Sequence, residues 1–201
     1  MRLGLVQKKI KAPSKRRLPV ALEHARCQAL LDAVRVPLYR VVFECMYYSG
    51  LRIGEALSLT VDDVDKAHMT LRVIGKGNKE RLAPLSEALY HDLRQAWRTH
   101  GTRPWLFPNR RRTGPVSFHT LQYAFRNACE QAGLDSALVK PHALRHSFAT
   151  RLHEKGVPSE TVRILLGHSS VETTKRYLHL LEASSDKVSG ALDTFCAPLL
   201  K

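Results

Sequence analysis

The chain has 201 residues, 44% of them hydrophobic, which suits one domain with a buried core. Its 32 Lys and Arg against 18 Asp and Glu give a formal charge of +14, a field that favours polyanions and points to nucleic acid as partner. No apolar run approaches the roughly 20 residues that span a membrane, and the basic N-terminus lacks the apolar centre of a secretion signal, so no membrane partner is expected. Cys27, Cys45, Cys129 and Cys196 are widely spaced and form no C-x-x-C pair, so they read as reduced thiols of a cytoplasmic protein.

Residues 1–18 hold Arg2, Lys8, Lys9, Lys11, Lys15, Arg16 and Arg17 and no acid, with Pro13 inside the stretch and Pro19 closing it. They read as a flexible basic arm or linker, and residues 19–201 as the folded domain. The arm either touches backbone phosphates or is a solvated connection to a further domain. Apolar spacing predicts a helix from Leu22 to Ala33 and a second from Pro37 towards Tyr48, interrupted at Ser49-Gly50. Another helix starts near Arg52, and Val61 to Val64 reads as a short connection. Met69 to Ile74 is rich in β-formers and Arg81 to Leu85 can pair with it, across a Gly75-Lys76-Gly77-Asn78 hairpin turn. Ser86 to Thr99 returns to helical spacing, and Pro104 to Pro115 is a loop bearing Arg110, Arg111 and Arg112.

Two further helices are expected, Ser117 to Ala132 and His142 to Lys155, closed by Gly133 and Gly156. A short helix then stops at Gly167, and Ser169 with Glu172 forms a candidate capping box opening the helix that bears Tyr177. The expected fold is mainly α with a small antiparallel β-sheet or hairpin, in the α+β class.

Six residues stand out for their chemistry: Arg52, Lys76, His142, Arg145, His168 and Tyr177. Two guanidinium forks, further proton donors and a phenol oxygen are what phosphodiester chemistry without a metal requires. The motif His-x-x-Arg proves little alone, because it occurs at His91/Arg94, His100/Arg103 and His142/Arg145. Only the third sits on a helix with an apolar stripe, Leu144, Phe148 and Leu152, and in isolation its histidine reads as a core residue. No metal site competes: His142 and His146 are spaced i, i+4 without the Glu of an H-E-x-x-H helix, and no G-x-S-x-G occurs.

Four stretches carry a resemblance: Ser49 to Glu55, Val73 to Arg81, His142 to Thr150, and Leu166-Gly167-His168 leading to Tyr177. Together, over roughly residues 19–180, they resemble the tyrosine recombinase, or phage integrase, family, most closely its Xer-like bacterial members. The resemblance implies the catalytic-domain fold of DNA breaking-rejoining enzymes, double-stranded DNA as substrate and no cofactor. It casts Arg52 and Arg145 as a clamp on the scissile phosphate, with Glu55 either orienting Arg52 or forming an ordinary ion pair with it. Lys76 would protonate the leaving 5′-oxygen, His142 would accept or relay the nucleophile's proton, and His168 would donate to a phosphate oxygen. Tyr177 would attack, giving a 3′-phosphotyrosine link.

Lys79, Arg81 and the Arg110 to Arg112 run are expected as backbone-phosphate contacts, with ordinary solvated loops as the alternative. The apolar C-terminal segment, with Leu180, Leu181, Val188, Leu192, Phe195, Leu199 and Leu200, resembles the family's helix that packs onto an adjacent protomer, as in a tetrameric synapse. Packing on its own domain is the alternative. Most relatives carry an N-terminal helical domain that completes a clamp around DNA. Here only the arm precedes the catalytic portion, so the chain reads as a fragment or as a naturally short member similar to fimbrial-switch invertases. Rival readings are a type IB-like topoisomerase using the same residues and a DNA-binding accessory protein that does not cut.

Overall fold

The computed structural model describes residues 21–167 except Lys76 and Lys79, together with Gly190, and it is organised around one buried helix. Outside the described residues lie the arm (1–18), Lys76, Lys79, His168, the Ser169/Glu172 capping box, Tyr177, Cys196 and the apolar C-terminal segment. Helix α1 (His24–Asp32) leads into α2 (Pro37–Tyr48), where Pro37 occupies the first turn, at which a missing N–H leaves nothing unpaired. Every residue of α2 from Val41 to Tyr48 is buried, so the helix has to be covered on all sides. The cover is α1, α3 (Ile53–Ser58), α4 (Glu87–Arg98) and α6 (His142–Glu154).

Polar groups on α2 are satisfied as burial demands. Tyr47 Oη bonds His24 Nδ1 at 2.8 Å, Gln28 Nε2 donates to Tyr48 Oη, and Arg40 Nε donates to Glu44 at 2.7 Å. Helix α5 (Phe118–Gln131) is capped by Ser117, whose Oγ accepts the Thr120 N–H at 3.1 Å, and packs against α1 and α3. Helix α7 (Ser159–Leu165) packs against α6 and the sheet.

The sheet is antiparallel in the order β1 (Val64–Asp65), β2 (Thr70–Ile74), β3 (Glu80–Pro84). Its register pairs Leu71 with Ala83 and Val73 with Arg81, and all four side chains are buried. The α+β class and the β2–β3 hairpin agree with the sequence. The segment from Val61 to Val64, expected as a plain connection, instead forms a 3₁₀ turn (Val61–Asp63) and opens a third strand. Asp63 fixes that turn by accepting from the Thr60 amide at 2.9 Å and its hydroxyl at 2.6 Å. Cys27, Cys45 and Cys129 are free and buried.

Gly50, which ends the α2 exit, is required twice over. Its φ is +65°, and a Cβ there would stand 2.6 Å from Phe148 Cδ1 and 3.0 Å from Leu166 Cδ2. Left-handed strain of roughly 1–2 kcal/mol adds to an overpacking cost of about 1–3 kcal/mol. Gly50→Ala should therefore lower the melting temperature by about 4–20 °C, at roughly 2–4 °C per kcal/mol for a chain of this size. Thermal denaturation followed by circular dichroism checks this; a melting temperature equal to that of the unchanged chain would contradict the packing described.

Candidate functional site

The site grows from the turn that Gly50 creates. Arg52 precedes the first residue of α3, and Glu55 one turn later accepts its backbone N–H at 2.7 Å, capping the helix. The same carboxylate accepts Arg52 Nη1 at 2.6 Å. Glu55 Oε2 also accepts Arg81 Nη2 at 2.8 Å, and Arg145 Nη1 stands 3.6 Å from it. Three guanidinium groups, from the start of α3, from β3 and from α6, thus gather on one buried carboxylate.

Backbone carbonyls fix the two deeper arginines. Arg145 donates through Nη1 to Gly50 O and through Nη2 to Leu166 O, the latter at 2.6 Å. Arg81 Nη1 donates to Leu165 O at 2.9 Å. These last acceptors lie at the C-terminal end of α7, where carbonyls lack intrahelical partners and carry partial negative charge. The Arg52 side chain is 39% exposed, against 8% for Arg145 and 5% for Arg81, so the cluster opens to solvent beside Arg52.

Among the described residues, three guanidinium groups face one carboxylate in this cluster. Burial, then the neighbouring charges of Arg52 and Arg81, push Arg145 down to about 9 against the counter-pull of Glu55. Burial would lift the Glu55 carboxyl, but Arg81, the Arg52 amide and the Arg52 guanidinium outweigh it and hold it below its usual value. Such a cluster is relieved by an added anion whose oxygens face planar donor forks, and a phosphodiester has that geometry.

His142 is the first residue of α6, exposed, and one turn from Arg145. His146, also exposed on the next turn, is held below its usual value by burial of part of its ring, then by His142 and Arg145. The other His-x-x-Arg pairs have no share in the cluster. His91 and Arg94 are exposed on α4. His100 is a latch: its Nδ1 accepts the Thr102 N–H at 2.9 Å, which leaves Nε2–H to donate to Leu106 O at 3.1 Å. No group of His, Cys, Asp or Glu among the described residues is placed to hold a metal ion.

Of the residues expected to meet phosphate, Arg110, Arg111 and Arg112 are exposed on a loop that Asn109 closes. The Asn109 N–H donates to Gly114 O at 2.7 Å and its Oδ1 accepts the Thr113 N–H at 3.2 Å. Arg81 is a correction: expected as a backbone-phosphate contact, it lies buried with its guanidinium turned inward onto Glu55 and Leu165 O. The cause is register, which sets Arg81 on the inner face with Val73 and Ala83. Alternation alone carried that signal, since Arg81 shares parity with Ala83. The carbonyls of Gly50 and Leu166 were not foreseen as partners of Arg145, and no side-chain pattern announces them.

The chain also matches known proteins over most of its length. The profile of the phage integrase family matches residues 21–184. The chain is 39% identical over 178 residues to tyrosine recombinase XerD of Yersinia pestis, covering 82% of this chain and 58% of that protein. Among solved structures, XerA recombinase superposes with a TM-score of 0.67 at 27% identity, over 86% of this chain and 65% of that one. XerH recombinase, in a post-cleavage complex with its palindromic difH substrate, has the same fold, with a TM-score of 0.68 at 24% identity over 90% of this chain and 56% of that one. The chain spans about three fifths of the length of the curated relatives it matches.

Proposed function

The chain belongs to the phage integrase family, and on that premise we propose that it is the catalytic portion of a tyrosine-type site-specific recombinase, cutting and rejoining double-stranded DNA. The observation that carries the reading is the convergence of Arg52 and Arg145 on Glu55, with the Arg52 side chain open to solvent.

The two guanidinium groups hold the non-bridging oxygens of the scissile phosphate and stabilise the charge that develops on them. The Tyr177 oxygen attacks phosphorus as the bond to the 5′-oxygen breaks. His142 takes the phenol proton, Lys76 supplies one to the departing 5′-oxygen, and His168 donates to a non-bridging oxygen. The products are a 3′-phosphotyrosine ester and a free 5′-hydroxyl. The ester retains the energy of the original bond, so a 5′-hydroxyl from another strand reverses the step without cofactor. A phenol of pKa about 10 is mostly protonated at neutral pH, and the cationic cup with a nearby base makes its attack feasible.

Residues 19–201 form the catalytic domain in this reading, residues 1–18 a basic arm, and Lys79 with the Arg110 to Arg112 loop contacts backbone phosphates. The chain assembles as a multimer on its DNA, with the C-terminal segment joining neighbouring protomers. It works where bacterial DNA is, in the cytoplasm, and no helix among the described residues is long and apolar enough to cross a membrane.

Incubation with a pool of nicked suicide duplexes, followed by denaturing electrophoresis and mass spectrometry, tests the reading. The expected result is a protein–DNA adduct on Tyr177. No adduct on any duplex would leave DNA binding without cleavage, and relaxation of supercoiled plasmid without any junction product would favour the topoisomerase-like alternative.

A further inference from the structure

We propose that Arg81 is a positioning residue for strand cleavage: it locks Glu55, the carbonyl end of α7 and the β2–β3 hairpin into one arrangement, and it does not touch DNA. The inference rests on the function proposed above and extends it to a residue behind the phosphate clamp.

Three segments distant in sequence meet on this one guanidinium. Nη2 reaches Glu55 on α3 and Nη1 reaches Leu165 O at the end of α7, while the residue itself sits in β3 opposite Val73. Its stem packs directly under Gly167, where a Cβ would stand 2.8 Å from Nε. Each segment also carries part of the site. Glu55 holds Arg52, Leu166 O receives Arg145, and Lys76 falls in the sequence between β2 and β3. At 5% exposure Arg81 leaves no room for a phosphate.

The position of Arg145 gives the device its purpose. Glu55 Oε2 accepts the Arg52 amide at 2.7 Å and Arg81 at 2.8 Å, while Arg145 Nη1 stands at 3.6 Å from that oxygen, beyond ordinary hydrogen-bond length. With Arg81 removed, its acceptor position on Oε2 becomes available to Arg145, and a guanidinium needed for substrate collapses into an internal ion pair. A lysine cannot substitute fully, because one ammonium cannot serve two acceptors with the fixed fork that Arg81 uses.

Among the described residues, the charged groups facing Glu55 are Arg52 from the start of α3, Arg81 from β3 and Arg145 from α6. Its carboxyl is held below the usual value, so what it contributes is present at neutral pH and lost as pH falls through the lowered value. Removing Arg81 raises that value, and the loss then begins at higher pH.

The test uses the full chain with Arg81→Met and Arg81→Lys on nicked duplexes that trap the unchanged protein. Arg81→Met should form adduct about 10–100-fold more slowly, the range seen when outer partners of a site are removed. Its DNA affinity and salt dependence should stay unchanged, and the acid limb of its rate should move to higher pH. Arg81→Lys should return the acid limb towards its original position without restoring the full rate. A salt slope smaller by about one, with the rate per bound complex intact, would make Arg81 a phosphate contact and overturn the proposal. A lower melting temperature, with the acid limb and the rate per folded molecule unchanged, would reduce it to packing. Carbon-13 NMR titration of Glu55 needs no DNA and separates the two claims: an unmoved titration in Arg81→Met refutes the positioning role, whereas absence of any adduct in the unchanged protein refutes the recombinase reading alone.

Discussion

Arg145→Lys is expected to slow covalent attachment to DNA by about 10²–10³-fold, the range for losing one preorganised donor to a developing oxyanion, and to lower thermal stability as well. Both effects come from the fork. Arg145 is 8% exposed and spends its two ends on Gly50 O and Leu166 O while standing beside Glu55. A lysine keeps the charge but reaches one acceptor at a time, so a buried carbonyl loses its partner at about 1–3 kcal/mol. At roughly 2–4 °C per kcal/mol, the melting temperature should fall by about 2–12 °C. Rates normalised to folded protein separate the two effects. A normalised rate close to that of the unchanged chain would remove Arg145 from the phosphate clamp.

Tyr177→Phe should do the opposite: no detectable adduct, with melting temperature and DNA affinity unchanged. One oxygen is removed, and Tyr47, Tyr48 and Tyr123 are poorly suited to replace it. Tyr47 and Tyr48 are fully buried in α2 with their hydroxyls engaged by His24 and Gln28. Burial further pushes the Tyr47 phenol up, away from the ionisation that attack needs. Tyr123 is exposed, but it stands on the outer face of α5. An adduct surviving in Tyr177→Phe, mapped by mass spectrometry, would move the nucleophile elsewhere.

Much of the architecture could be read from local signals. The bounds of α2 followed from Pro37 and the Ser49-Gly50 break, and those of α6 and α7 from Gly156 and Gly167. Arg52, Glu55 and Arg145 were recognised from residue type and order, and they do meet. Strand β1 was missed because two residues carry no periodicity; they become a strand only by pairing with Leu71 and Thr70. Arg81 was misread because a cation after a basic turn resembles a surface residue, and what buries it is a carboxylate 26 residues earlier in the chain. The carbonyl partners of Arg145 were hidden for a similar reason: backbone acceptors leave no trace in residue identity, and these two belong to chain positions far from α6 in opposite directions.

That last arrangement has a consequence for synthesis on the ribosome. The fork of Arg145 joins a carbonyl made early, at Gly50, to one made late, at Leu166. A polypeptide that has not yet reached Leu166 owns both guanidinium groups, but the second has only the earlier of these two carbonyls to aim it.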